Sequence, residues 1–274
     1  MVTTHHRGNR LTTYAADLHI HSVLSPCGDL SMSPRVILER ACAAGLQLIA
    51  LTDHNMAENG AALRALAAES GLALLFGMEL ETSEELHLLC LFDTYEAAMA
   101  WQEVVYRLLP NIPNDPDRFG DQVVVDSEEN IVRFEKRLLA NAADLPLAEA
   151  CEGVTACGGL AIPAHVDRPV HSLISQLGFP PPGLQLPAVE LSRFASPRLA
   201  DQHPWLRNLP KVGFSDAHFP HEVGAQHTLL HVFEPTVAEI RLALRGEGGR
   251  WARRVVRAPA HERGDRPSGN TLTP

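Results

Sequence analysis

"YAADLHIHS", residues 14–22, is the stretch whose reading decides the fold. It places His19 and His21 two apart, at the end of an apolar run that includes Asp17. On a β-strand, residues two apart face the same side, so Asp17, His19 and His21 are expected to share one face. Alone, the histidine pair fits a metal site or a coincidence of composition. The rest of the chain decides between them.

The chain has 274 residues, is 45% hydrophobic and carries a net charge of −10 with histidine neutral. That length allows a full core. The negative balance argues against a protein that holds nucleic acid along a basic face, so no stable nucleic-acid partner is expected. No apolar stretch reaches the length of a spanning helix, and the first residues lack the apolar segment of a signal peptide. Cys27, Cys42, Cys90, Cys151 and Cys157 are odd in number and scattered. They read as reduced, mostly buried thiols of a cytoplasmic protein. The 14 histidines are the feature that stands out.

Short β-like runs alternate with helical stretches, which points to an α/β fold. Strands are expected at 14–20, 46–51, 72–76, 86–92, 160–164, 188–191, 211–214 and 228–233. Between the first two, "SPRVILERACAAG" reads as a helix with Ser33 as cap, Pro34 in the first turn and Gly45 as stop. A second helix is expected over 58–70. Residues 93–159 form an excursion, with a helix near 95–109, a Pro/Asn/Asp-rich loop, and helical patterns from Glu129 to Cys157. Residues 1–13 read as a tail, 14–246 as the catalytic unit, and the Arg/Gly/Pro-rich 247–274 as a second, poorly ordered tail.

The polar residues gather at strand ends. His19 and His21 close the first strand, Asp53 and His54 follow the second, and Glu79 and Glu81 follow the third. His87 lies in the fourth, His165 and Asp167 follow "LAIPA", and Asp216 and His218 follow "KVGF". In a parallel β/α barrel such ends converge on one face. Imidazole and carboxylate suit Zn²⁺, Mn²⁺ and Fe²⁺, and there are too many donors for one ion. Taken singly, His87 reads as a core histidine, Asp53 as a helix cap and Glu81 as a solvent-facing strand residue. A buried His or Glu without a partner is costly, so one joint explanation is preferred to many separate ones.

In order, "DLHIHS", "ALTDHN", "GMELET", "ELHLLCLF", "IPAHVDR" and "GFSDAH" resemble the motifs of the PHP (polymerase and histidinol phosphatase) superfamily, over residues 14–235. The resemblance implies a distorted seven-stranded TIM-like (β/α) barrel with a trinuclear metal cluster at the strand C-termini, and phosphoester hydrolysis. It implies that His19, His21, Glu79 and Asp216 hold one ion. Glu79 would bridge to a second ion held by His87 and His165, and His54 and His218 would hold a third. The last ligand falls in "LSPCGDLSMSP", which departs from the common pattern; Asp29 is preferred there as a hard oxygen donor, with Cys27 the alternative.

Two to three divalent ions would activate a water and clamp phosphoryl oxygens, so no serine nucleophile is needed. Ser192 and Ser215 read as structural. Asp17 is expected to orient a ligand histidine. Asp53 is a general-acid or supporting candidate, and Glu79 and Asp216 are the central carboxylates. Arg168 is the candidate phosphate contact, with Arg193 and His221 weaker ones. The expected substrate is a small phosphorylated metabolite, nucleotide or short oligonucleotide. An amidohydrolase-type enzyme and a non-catalytic metal-binding module are the alternatives.

Overall fold

The computed structural model describes residues 10–257. Its elements begin with β1 (Thr12–Asp17), α1 (Pro34–Ala43), β2 (Leu48–Leu51), α2 (Gly60–Ala67), β3 (Ala73–Glu81) and β4 (His87–Phe92). The excursion holds α3 (Tyr95–Leu108), α4 (Pro116–Phe119), β5 (Val123–Val125), β6 (Ile131–Phe134) and α5 (Leu147–Ala156). The chain continues through β7 (Leu160–Pro163), α6 (Leu173–Gln176), β8 (Val189–Glu190), α7 (Leu199–Gln202) and β9 (Lys211–Val212). It closes with β10 (Gln226–Val232), α8 (Val237–Arg245) and β11 (Trp251–Val256). No helix among the described residues is long and apolar enough to cross a membrane.

Local signals explain the first helix. The Ser33 hydroxyl accepts from the Val36 amide, Pro34 opens the first turn, and Gly45 at φ +69° turns the chain out.

Seven strands form one curled sheet in the order β11-β10-β1-β2-β3-β4-β7. β1, β2 and β3 run parallel, whereas β4 is antiparallel to both β3 and β7, and β10 is antiparallel to β1 and β11. β8 and β9 form a separate parallel pair, so the ladder makes a half-barrel. This changes how the site is assembled. The expected convergence of C-terminal strand ends holds for β1, β2, β3 and β7. His87 instead sits at the N-terminal end of β4, which the antiparallel reversal brings to the same rim.

Side-chain alternation builds the layers. In β2, Leu48 and Ala50 point into the core inside the curl, while Ile49 and Leu51 pack outward under α1 and α2. In β4, Leu89 and Leu91 face inward, and Leu88, Cys90 and Phe92 meet Trp101 of α3 and Val154 of α5. Full burial of each such Leu or Phe stabilises by about 1.5–3 kcal/mol, which is enough to hold the strand ends in register under a polar site. α8 packs Ile240 and Leu244 into the inner core.

Three expectations are corrected. Residues 131–134 are not helical: "IVRF" is a strand paired with β5, because β-branched residues beside a partner favour the ladder. Helix resumes only at Leu147. The sheet also runs past residue 246, since Trp251–Val256 pairs along β10 from Gln226 to His231; residues 258–274, like residues 1–9, lie outside the described residues. Lastly, Cys90 and Cys151 are buried, but Cys27, Cys42 and Cys157 are exposed.

Candidate metal centre

Glu79 is the hub. Its carboxylate is 1% exposed and stands at the end of β3 among five imidazoles. Oε1 faces His19 Nε2 at 3.1 Å, His87 Nδ1 at 2.9 Å and His165 Nε2 at 3.0 Å. Oε2 faces His21 Nε2 and His54 Nδ1, each at 3.3 Å. Asp216 closes the opposite side, its Oδ1 lying 3.4 Å from His19 Nε2, 3.2 Å from His21 Nε2 and 3.6 Å from His218 Nδ1. Eight of the nine expected ligands therefore meet in one place.

The geometry suits cations. His19 and His21 turn their Nε2 atoms toward each other at 3.2 Å, and His87 Nδ1 lies 3.3 Å from His165 Nε2. Two neutral imidazoles cannot both present lone pairs at such distances, whereas a shared divalent ion accepts both. His54 Nδ1 is buried with no hydrogen bond. His165 at φ +26° and Asp216 at φ +50° occupy the left-handed region, the kind of backbone strain that clusters at functional sites.

The charges fit as well. Burial alone would raise the Glu79 pKa, yet the facing His87 and His19 hold it well below the usual carboxylate range. Burial would lower His19, but Glu79, Glu190 and Asp216 hold it well above the ordinary value. His21 is raised to about 9 against its burial, by Asp216 and Glu79. His218 is pushed down to about 4, mainly by burial, and is neutral near pH 7.

Asp29 is not brought into the cluster. Its Oδ1 accepts from the Ser31 amide and hydroxyl, an Asx turn that points the carboxylate along its own loop. Cys27 takes the place instead: its thiol gathers with His21, His54 and His218 within 4.8 Å of one another. Although the residue as a whole is exposed, desolvation of the thiol where it faces the cluster and the nearby carboxylates of Glu79 and Asp216 push its pKa up.

Asp53 and Asp17 support the site from beneath. Asp53 Oδ1 accepts from the Ser22 amide and the Ser25 hydroxyl, and Oδ2 from the Ser22 hydroxyl, which fits the supporting alternative. Ser25 Oγ in turn lies 2.9 Å from His21 Nδ1. Asp17 orients no histidine; it accepts from the Ser215 and Gly224 amides and so anchors the segment carrying Asp216. Ser192 is tied to Asp167 through its amide and hydroxyl, and both Ser192 and Ser215 line the cavity beside the cluster.

Two groups were missed. Glu190 of β8 places Oε2 3.0 Å from His19 Nδ1 and 3.1 Å from the His165 amide. It fixes the His19 ring, the task the sequence assigned to Asp17, and holds the backbone that carries His165. The signal was available in "AVEL", where an acid ends an apolar run as at the other strand ends. Glu81 is 6% exposed rather than solvent-facing, because residues two apart on β3 share a face and Glu79 points inward. Half-exposed His171 lies beside it.

The cluster opens into a cavity of about 210 Å³ whose walls include Arg168, Arg193, Phe194 and Phe219. Arg168 pairs with Asp216 Oδ2, and Arg193 with Glu222 at 3.0 Å. His221 is not among the lining residues.

Comparison with known proteins agrees with this centre. The sequence model of the PHP domain matches residues 17–144, and that of the PHP-associated region matches 199–247. An uncharacterized protein of Methanocaldococcus jannaschii is 36% identical over 77 residues, covering 25% of this chain and 45% of that protein. Among solved structures, the lesion-specific endonuclease PfuEndoQ of Pyrococcus furiosus is similar with a TM-score of 0.67 at 24% identity. That match covers 88% of this chain and 58% of the endonuclease. A two-domain protein of Bacteroides vulgatus containing a predicted PHP-like metal-dependent phosphoesterase has a TM-score of 0.53 at 18% identity, over 90% of this chain and 65% of that one. The chain thus spans roughly half the length of the first relatives it matches. Six ordered motifs and the curled sheet converge with these matches: the chain carries a PHP domain over residues 17–144 and a PHP-associated region over residues 199–247.

Proposed function

We propose that this chain hydrolyses phosphoesters, using two to three divalent ions of the Zn²⁺, Mn²⁺ or Fe²⁺ type. The observation that carries the reading is the Glu79 carboxylate enclosed by five imidazoles, in a cluster whose His165, Asp216 and His218 line a cavity walled also by Arg168 and Arg193. His19, His21, Glu79 and Asp216 would hold one ion, and His87 and His165 a second with Glu79 between them. His54, His218 and Cys27 would hold a third. Bound there, the ions would lower the pKa of a water and neutralise charge on phosphoryl oxygens.

The chain's own groups do the rest. Glu190 and Ser25 fix the rings of His19 and His21, so that the donors stay aimed without rearrangement. Arg168, 41% exposed at the side chain, offers a planar fork to the phosphoryl oxygens. The cavity is smaller than a drug-sized site of about 300–1,000 Å³, so it admits a phosphoryl end while the rest of the substrate lies outside.

A second reading, cleavage of single-stranded nucleic acid, is favoured by one observation. Phe194 lines the cavity, is 80% exposed, and carries the Arg193 guanidinium 4.9 Å from its ring centroid, a surface on which a base can stack. The test is a turnover screen of the metal-loaded chain on aryl phosphate mono- and diesters, sugar phosphates, nucleotides and short oligonucleotides. Metal-dependent release from any phosphoester supports the proposal. Turnover of amides or lactones alone, or none, overturns it.

A further inference from the structure

We propose that Glu81, His87 and His171 form an outer divalent-cation position beside the Glu79-centred cluster. It extends the metal-dependent reading above and shares His87 with it, so that filling both positions requires His87 to release its ring proton to solvent and bridge as an imidazolate. Three segments deliver the donors: Glu81 ends β3, His87 opens β4 directly opposite it in the hairpin register, and His171 follows β7 in a loop. One ligand atom from each lies within 4.8 Å of the other two.

The Glu81 side chain is 8% exposed and makes no hydrogen bond among the described residues. Its polar neighbour is His171 Nδ1, 3.3 Å away, which is buried and also without a hydrogen bond. That separation is long for an N–H···O bond, whose usual length is about 2.9–3.0 Å. It matches two ligands on one ion: donors about 2.0–2.2 Å from a tetrahedral cation lie about 3.3–3.6 Å apart.

The backbone is committed to this arrangement. His171 sits at φ +50°, a region that non-glycine residues seldom occupy, and its carbonyl accepts from the His87 amide at 3.1 Å. The two rings stack 5.0 Å apart at 16°, so neither donates to the other's edge; with His87 Nδ1 turned to Glu79 at 2.9 Å, the outer position would draw on that ring's other nitrogen. Two imidazoles and a carboxylate are a set that suits borderline cations such as Zn²⁺, Mn²⁺ and Fe²⁺. With the His171 side chain 45% exposed, an ion here exchanges with solvent and binds more weakly than those around Glu79.

The test is equilibrium dialysis of the metal-stripped full chain against Co²⁺ and, separately, Zn²⁺, read by elemental analysis and by the Co²⁺ ligand-field spectrum. Wild type should show a tight class and one further, weaker equivalent. Glu81→Gln and His171→Ala should each lose that equivalent, or weaken it by at least about tenfold, and leave the tight class unchanged. Thermal melts establish that the variants are folded, and His171→Ala, on a surface loop, carries the test if Glu81→Gln does not fold. Variants that bind the same number of ions as wild type with the same affinities overturn the outer position. So does a result in which Glu81→Gln weakens only the tight class while His171→Ala changes nothing. A wild-type chain that binds no ion overturns the proposed function as well, so the two failures are distinguishable.

Discussion

Replacing Glu190 with glutamine removes one charge and no volume from beneath the metal centre. Glu190 is 1% exposed and accepts three hydrogen bonds: His19 Nδ1 at 3.0 Å and the His165 amide at 3.1 Å on Oε2, and the Phe214 amide at 3.3 Å on Oε1. A glutamine has one acceptor oxygen and one donor nitrogen, so in either rotamer an N–H is set against an N–H. If the amide nitrogen takes the Oε2 place, His19 and the His165 amide lose their acceptor together. If it takes the other place, the Phe214 amide is orphaned and His19 still loses its anionic partner. A hydrogen bond to a charged group contributes about 1.5–3 kcal/mol, or a factor of roughly 10–150 in a binding constant. The same substitution class around metal sites typically costs about 10–100-fold. Competition of the stripped variant against a chromophoric chelator should therefore show Zn²⁺ or Mn²⁺ affinity reduced about 10–100-fold, with kcat/KM lowered in parallel. Affinity within about twofold of wild type, in a folded variant, would refute the argument that Glu190 aims His19.

Three further outcomes are expected. Glu79→Gln should lower occupancy at more than one ion position at once and abolish phosphoesterase activity, because its two oxygens face five imidazoles; elemental analysis showing full metal content would remove it from the hub. Cys27→Ser should eliminate a thiolate-to-Co²⁺ charge-transfer band that Asp29→Asn leaves intact, since only the Cys27 thiol lies with His21, His54 and His218; a wild-type Co²⁺ spectrum without that band would contradict the placement. Metal affinity should rise with pH through about 9: His21 of the free protein holds its proton below that value, against its burial, through Asp216 and Glu79, and an ion must displace it, as it must displace those of His19 and Cys27. Calorimetry in buffers of different ionisation enthalpy reads that proton release, and its absence at pH 7 would show that His21 is already neutral.

The sequence by itself determined the α/β class, the strand-by-strand placement of His and acid residues, and eight residues that meet in one cluster around Glu79 and Asp216. Those features are local: an apolar run of four to six residues ending in "HIH", "TDH" or "SDAH" fixes both a strand and the residue at its mouth. What only the tertiary structure decided is long-range. Whether β4 runs parallel or antiparallel does not alter its own composition, yet it decides which end of "HLLCLF" reaches the rim. Strand pairing likewise turned "IVRF" from a helical stretch into β6 and recruited Trp251–Val256 to the sheet edge, since a ladder partner is remote in sequence. Cys27 and Asp29 are two residues apart in one turn; the choice between them fell to the Ser31 hydroxyl and amide, which engage one carboxylate and leave the thiol to the cluster. Glu190 meets His19 across 171 residues of chain, a contact that no local pattern encodes and that only the closing of the curled sheet creates.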